Sequence, residues 1–499
     1  MIGRKGDAMS EHAGGAGLAT GRAIGFMNGL DALFLYLETP ETPMHVGSVH
    51  LFELPADWRG DFAAAVRSHL AERLQHADVL TRRLAPMPLG IANPAWVRAS
   101  AIDLEHHVRR LRLPPPGTFA QFHDLIGGLH ARLLERSRPL WEMAVIEGLE
   151  HGRVGFYAKV HHAGLDGQAG VALAQAIFDV TARHGAAPVA PLEPVRTHDE
   201  PGAIRVAAAG LRHNAGQLLG LGARLPGLAR SIGRAVLPAL AGGRAGALLG
   251  GGDLLAPRTP LNVAISRRRA FATASVPLER ARAIARAHDA TLNDVVLAAS
   301  GDALRGWLAA RGALPRATLL AAVPVSLRRP GDGQSNTQAM MVRMPLATDV
   351  ADPLERLHRI RDASVGLRHA LRDVRDLVPT EFPSLGLPWL GGALASIWGR
   401  SRLADRLPPP ANLVVSNVPG PAVPLYLLGA RMLSYWPVSI PVHSMALNVT
   451  VQSYAGSLDF GLIACRRAVP DVEDIAARIG AAFDALEAAG RAPRRPAVP

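Results

Sequence analysis

The sequence predicts an α/β (α+β) protein built as two large domains joined by a long, basic middle segment. Three observations carry that expectation. The chain has 499 residues, more than one core of ordinary size accommodates. Its composition, 48% hydrophobic and 19% charged, supplies apolar side chains for large cores and argues against wholesale disorder. Runs of period two and of period 3.6 alternate on both sides of a segment of different character.

Residues 1–23 read as a flexible tail. MIGRKGDAMSEHAGGAG has no apolar stretch of signal-peptide length, and Met9 offers a second start. Residues 24–190 form the first domain. Within it Arg153 to His162 (RVGFYAKVHH) places Val154, Phe156, Ala158 and Val160 on one face of a strand. If that geometry runs on, His162 shares the apolar face and His161 points the other way. Asp166-Gly167 breaks the strand, and GQAGVALAQAIFDV reads as a helix with Val171, Ala174, Ile177 and Phe178 on one side.

Residues 191–261 form the crossover segment, Pro-rich at first and then apolar with arginine. From Pro201 to Gly252 there is no acidic residue, while Arg205, Arg212, Arg224, Arg230, Arg234 and Arg244 are present. Leu218, Leu219, Leu221, Leu225 and Leu228 supply an apolar side. Two compatible readings stand: helices packed on the protein, or an amphipathic segment lying on an anionic membrane or lipid droplet. Residues 262–489 form the second domain. There Thr291 to Leu308 predicts a helix with Val296, Ser300, Ala303, Leu304 and Trp307 at helical spacing. Leu413 to Val415 reads as a short strand ending in a Ser-Asn-Val-Pro-Gly-Pro turn. Residues 490–499, rich in Pro and Arg, read as a disordered tail.

Composition narrows the function classes. With 54 Lys plus Arg against 42 Asp plus Glu, the chain carries a formal +12, an attraction for anions in general. Nearly all of it is arginine, and no nucleic-acid-binding motif accompanies it, so no nucleic-acid partner is expected. The single cysteine, Cys465, allows no intrachain disulfide and no cysteine-based zinc site. The best candidate span, Phe382 to Gly399, is broken by two prolines and four glycines. The expected location is cytoplasmic, with peripheral contact on the inner membrane or a lipid droplet. Oligomeric state is left open. No P-loop, HExxH or G-x-S-x-G elbow is present, and Gly242 to Gly252 lacks the strand–turn–helix context of a dinucleotide site.

The strongest constellation is His161-His162-Ala163-Gly164-Leu165-Asp166-Gly167. A histidine ending a strand in a partly apolar setting is well placed as a general base near neutral pH. Asp166 reads either as an orienting group or as a helix N-cap. Gly167 permits the tight entry to the helix. Thr291 and Asp294 fit a capping box that opens the helix. In Ser137-Arg138-Pro139-Leu140-Trp141-Glu142, Trp141 reads as a core residue, with Glu142 or Arg138 in a buried pair.

HHxxxDG resembles the signature of the chloramphenicol acetyltransferase-like superfamily. The PLWE run, Asn293-Asp294-Val295-Val296-Leu297, and Ser416-Asn417-Val418-Pro419-Gly420-Pro421 are similar to motifs of the bacterial wax ester synthase/diacylglycerol acyltransferase family. So are Asp31-Ala32-Leu33-Phe34 and Pro43-Met44-His45-Val46-Gly47. The resemblance runs from about Gly25 to Ala489. Two departures, Gly333-Gln334-Ser335-Asn336-Thr337-Gln338 and Pro441-Val442-His443-Ser444-Met445, bear on pocket shape and leave the acceptor open.

The resemblance implies two acetyltransferase-like domains with an interdomain channel. It implies transfer of a long-chain acyl group from acyl-CoA, a co-substrate, to diacylglycerol or a fatty alcohol, with no cofactor and no metal. His162 would be the base, His161 its support, Asp166 an orienting residue, and Asn293 an oxyanion or positioning group. Gly167, Asp294, Ser416, Asn417, Pro419 and Gly420 would contact substrate. The rivals are another acceptor or a carrier-bound donor on the same fold, as in condensation or polyketide-lipid esterification, and a non-catalytic lipid-surface protein.

Overall fold

The structure, a computed structural model, describes residues 24–27, 29–85, 87, 94–165, 167–182, 201–216, 219, 255–326, 339–374 and 403–491. Two six-stranded sheets form its frame, with strands numbered in chain order. A small sheet holds β1 (Gly25–Phe26), β3 (Arg82–Leu84) and β4 (Ala95–Arg98), in the order β1-β4-β3. The first large sheet contains β2 (His45–Glu53), β5 (Val108–Arg112), β6 (Trp141–Glu147) and β7 (Val154–His161). The second contains β8 (Arg269–Pro277), β9 (Leu320–Ser326), β10 (Ala339–Pro345) and β11 (Leu413–Val418). It is completed by β14 (Leu447–Tyr454) and β15 (Ser457–Cys465), in the order β10-β9-β11-β14-β15-β8.

The two sheets share chain. β12 (Tyr426–Leu427) and β13 (Ala430–Val438) come from the C-terminal half but finish the first sheet, whose order is β12-β13-β2-β7-β6-β5. β13 runs antiparallel to β2, with Val438 opposite Gly47 and Tyr435 opposite His50. This crossing brings the two sheets into backbone contact: a Cβ on Gly461 of β15 would collide with the carbonyl of Pro437 in β13. Only glycine fits there.

β7 is buried along its whole length. Val154, Phe156, Ala158 and Val160 face a core closed by the Phe62–Arg73 helix and the Gly167–Ile177 helix. Tyr157, on the other face, joins a second core with Phe122 and Ile126 of the Phe119–His130 helix and with Phe271, Trp436 and Ile463 from the other half. The first half is therefore welded to the second by apolar packing, at about 1.5–3 kcal/mol for each large side chain buried. The Leu292–Ala309 and Val472–Arg491 helices pack on the second sheet and bury Val296, Ser300, Ala303, Leu304 and Trp307, the predicted face.

Two local expectations are corrected. The helix after the histidines spans Gly167–Ile177 and buries Leu173, Ala176 and Ile177, while Val171 is 58% exposed. This alanine-rich helix carries two apolar stripes, and the one with the larger side chain, Leu173, takes the core. The strand expected to end at Val415 continues to Val418. Ser416 and Asn417 sit in parallel register with Thr450 and Val451, because a neighbouring strand is available to satisfy their backbone. Asp166, the tail over 1–23, the loop over 327–338, the apolar stretch over 382–399 and residues 220–254 of the middle segment lie outside the described residues. Among the described residues no helix is long and apolar enough to cross a membrane.

Candidate active site

β7 delivers the histidine pair. His161 is the last strand residue, opposite His45 of β2, and its backbone N–H donates to the Leu140 carbonyl. His162 leaves the strand into a short 3-10 turn over His162–Gly164, its N–H donating to the Met44 carbonyl at 2.9 Å. His161 stays on the face predicted for it. His162 does not continue the alternation, because the chain turns there.

His161 is buried, and its Nδ1 accepts the Ala163 N–H at 3.1 Å. That bond leaves the ring proton on Nε2. Nε2 lies 3.2 Å from Glu38 Oε1, in a bent geometry short of a full hydrogen bond. The Glu38 carboxylate is 3% exposed. Its other oxygen accepts from Arg136 Nη2 at 2.8 Å and Nε at 3.2 Å. Burial alone would raise the Glu38 pKa, but His161 and Arg136 more than offset that and hold the carboxyl below its usual value.

His162 is half-buried and stacks on Phe34, ring centroids 3.8 Å apart and 16° from parallel. Its Nδ1 is buried without a hydrogen-bond partner. Burial pushes its pKa down to about 4, opposed by its own backbone carbonyl and reinforced by His161. The ring is thus neutral at neutral pH and able to accept a proton. The turn itself is held by Arg82, which donates to the Gly164 carbonyl at 2.8 Å and lies 4.8 Å over the Trp96 ring.

The halves meet beside this turn. Glu41, three residues after Glu38, pairs with Arg267 at 2.9 Å, and its carbonyl accepts from the buried Arg269. His130 Nε2 lies 2.9 Å from the Ser439 carbonyl, and its Nδ1 lies 2.7 Å from the Tyr157 hydroxyl. Lys159, fully buried, donates to Glu142 at 3.1 Å and to the Leu129 and Arg132 carbonyls. Glu142 is therefore the PLWE residue in a buried pair. Arg138 instead meets Asp103 and Glu135 at the surface. Trp141 is fully buried, as expected, and donates to the Leu80 carbonyl at 3.0 Å.

The other sequence candidates are spread over both halves. Gly167 opens the helix after the histidine turn. Asp294 forms the expected capping box with Thr291 and accepts from Ser364 Oγ at 2.5 Å. Fully buried with both oxygens engaged, it holds the helix start. Asn293, in the first turn of the same helix, is half-buried. Ser416 and Asn417 are half-buried on β11, and Pro419 is exposed. Gly420 N–H donates to Ser453 Oγ at 3.1 Å, where a Cβ would strike the Ser453 carbonyl. Among the described residues no cluster of His, Cys, Asp and Glu could hold a metal ion.

Glu38 and Arg136 were not anticipated from sequence. The one available sign was a carboxylate directly after the apolar LFLYL run, at a helix C-terminus where a cation is the favoured charge.

Two six-stranded sheets, the first completed by β12 and β13 from the C-terminal half, thus carry a histidine pair at the end of β7. The first condensation domain of the calcium-dependent antibiotic synthetase shares this fold, with TM-score 0.52, 15% identity and coverage of 94% of this chain and 97% of that one. The wax ester synthase/diacylglycerol acyltransferase catalytic-domain model matches residues 27–296, and the C-terminal domain model of the same family matches residues 336–487. A Mycobacterium tuberculosis protein named as a diacylglycerol O-acyltransferase is 36% identical over 463 residues, 93% of this chain and 99% of its own. The wax ester synthase/diacylglycerol acyltransferase structure from Marinobacter aquaeolei matches with TM-score 0.65 and 30% identity, covering 93% of this chain and 99% of that one. The chain belongs to the wax ester synthase/diacylglycerol acyltransferase family and is an acyltransferase.

Proposed function

We propose that the enzyme transfers a long-chain acyl group from acyl-CoA to the hydroxyl of diacylglycerol or of a fatty alcohol, with His162 as general base. The observation that carries this reading is the His162 ring at the end of β7, stacked on Phe34 with its Nδ1 buried and held neutral by burial, and Nε2 is the nitrogen we assign to the acceptor. A thioester is already activated, so the acceptor has only to lose its proton as it attacks. His162 Nε2 takes that proton while the new C–O bond forms. The tetrahedral intermediate then expels CoA thiolate, which receives the proton from His162, giving ester and free CoA. No acyl-enzyme and no resident cofactor enter. General-base action of this kind contributes roughly 10²- to 10⁴-fold.

Asn293 is proposed as the oxyanion or positioning group, since the first turn of a helix presents unpaired N–H groups and positive dipole to a developing anion. Asp166 is proposed to orient the histidine loop. Gly167, Ser416, Asn417, Pro419 and Gly420 are proposed to shape an interdomain channel for pantetheine and acyl chain, and Asp294 to act by holding Asn293 in place.

A lipid surface is the proposed platform. The helical stretch over 203–216 exposes Ile204 and Leu211 beside Arg205 and Arg212, an apolar face flanked by cations. The test of the reading is CoA release from palmitoyl-CoA with diacylglycerol, hexadecanol or no acceptor, in wild type and His162→Ala.

A further inference from the structure

The helix Gly29–Leu37 reaches both histidines at once: Phe34 lies flat on His162, and Glu38, the residue after its last turn, faces His161. Glu38 is electrostatically out of place by local rules. A carboxylate at a helix C-terminus sits against the negative end of the dipole, and burying it there adds a desolvation cost. The fold compensates with Arg136, which reaches both the Glu38 carboxylate and the Leu35 carbonyl at 2.9 Å in that last turn. Met44 N–H, whose own carbonyl holds His162 N–H, lies 3.4 Å from Glu38 Oε1. A carboxylate kept in so unfavourable a place, with a dedicated cation and a histidine on it, is doing more than filling space.

We infer that Glu38, held by Arg136, is a positioning residue for acyl transfer: its negative charge fixes His161, and through the Ala163 N–H on His161 Nδ1 it fixes the turn that aims His162 Nε2. The inference rests on the acyl-transfer reading above. The groups facing this chain are Arg136 from the 131–140 segment, Lys159 and His45 from β7 and β2, and Arg82 behind Gly164. Lys159 is already paired with Glu142, and His45 is held neutral by burial, so Glu38 is the carboxylate that faces His161 directly. Without it no carboxylate lies against the His161 ring, either in the resting enzyme or when His162 takes a proton.

Charge and shape make opposite predictions here. Glu38→Gln keeps the size and loses the charge; Glu38→Asp keeps the charge and shortens the arm. We expect Glu38→Gln to lower kcat roughly 10- to 100-fold, the scale of a small misplacement of a reacting group, with KM for both substrates within about twofold of wild type. Glu38→Asp should retain more of kcat than Glu38→Gln. A packing role predicts the reverse order, and that order, or wild-type kcat in Glu38→Gln, would overturn the inference. Should the orphaned Arg136 prevent folding, the Glu38→Gln/Arg136→Met pair removes both charges and should fold with the same loss of kcat; wild-type kcat in that pair overturns the inference equally. Wild type and His162→Ala run in the same assay separate the two claims. Acceptor-stimulated release that is lost in His162→Ala but intact in Glu38→Gln sinks the positioning role alone, whereas a wild type without stimulated release removes the acyl-transfer reading and this role with it.

Discussion

Phe34 lies face to face with His162 at 3.8 Å, so one aromatic ring shields the imidazole from water and sets its plane. Burial is the leading cause of the depressed His162 pKa. Phe34→Ala should therefore do two things. It should lower kcat by about tenfold through a looser ring, and it should move the acid limb of the rate profile upward, toward the ordinary histidine value near 6.5. A Phe34→Ala enzyme with the wild-type profile would show that the stack does not set the basicity of His162.

In the wild type the same reasoning places the acid limb far below neutrality. With His162 pushed down to about 4, the base form persists from pH 8 to pH 6, and kcat/KM should be level across that range. A half-maximal point near pH 6.5 would contradict the burial of this ring.

Stability should be more sensitive to acid than activity is. His50 and His130 are pushed down to about 3, His107 and His123 to about 4, and His45 well below its usual value, in each case chiefly by burial. These rings are neutral in the folded protein and protonate near 6.5 when unfolded, so the unfolded state binds more protons as pH falls. They cost the fold nothing well above pH 6.5, and stability falls from about 6.5 down to each ring's folded value, about 4 or about 3, at about 1.4 kcal/mol per ring per pH unit. Urea midpoints should be flat from pH 8 to 7 and fall steeply by pH 5. A midpoint unchanged at pH 5 would mean these rings are solvated.

Lys159 and Glu142 face each other across β6 and β7. Lys159→Met leaves a largely buried carboxylate with only Arg109, at 3.6 Å, to balance it. We expect a loss near the lower end of the range for a broken buried pair, about 3 kcal/mol. Lys159→Met/Glu142→Leu should recover most of it. Equal melting temperatures for Lys159→Met and wild type would show that the pair contributes nothing.

Much of this fold is legible in the sequence because its elements obey local rules. The period-two pattern of 153–162 gives β7 to within one residue at each end, and Thr291 and Asp294 announce the start of the Leu292–Ala309 helix. What is not legible is what depends on distant chain. Nothing in residues 426–438 says that they complete the sheet of the other half, since a strand reads the same whichever neighbour it finds. Ser416 and Asn417 look like a turn until β14 is beside them. At the site, the histidine pair is visible as a motif, but Glu38 and Arg136 are about a hundred residues apart and meet only through the fold. Val171 is misplaced for a related reason: an alanine-rich helix has two plausible faces, and the packing partner chooses between them.

Whether His162 serves as the base for acyl transfer to an alcohol is decided by a single assay. CoA release from palmitoyl-CoA is followed with diacylglycerol, hexadecanol or no acceptor, for wild type and His162→Ala matched in melting temperature. Acceptor-stimulated release is expected in wild type, with a loss of roughly 10²- to 10⁴-fold in the variant. A folded His162→Ala enzyme that turns over at the wild-type rate would contradict it.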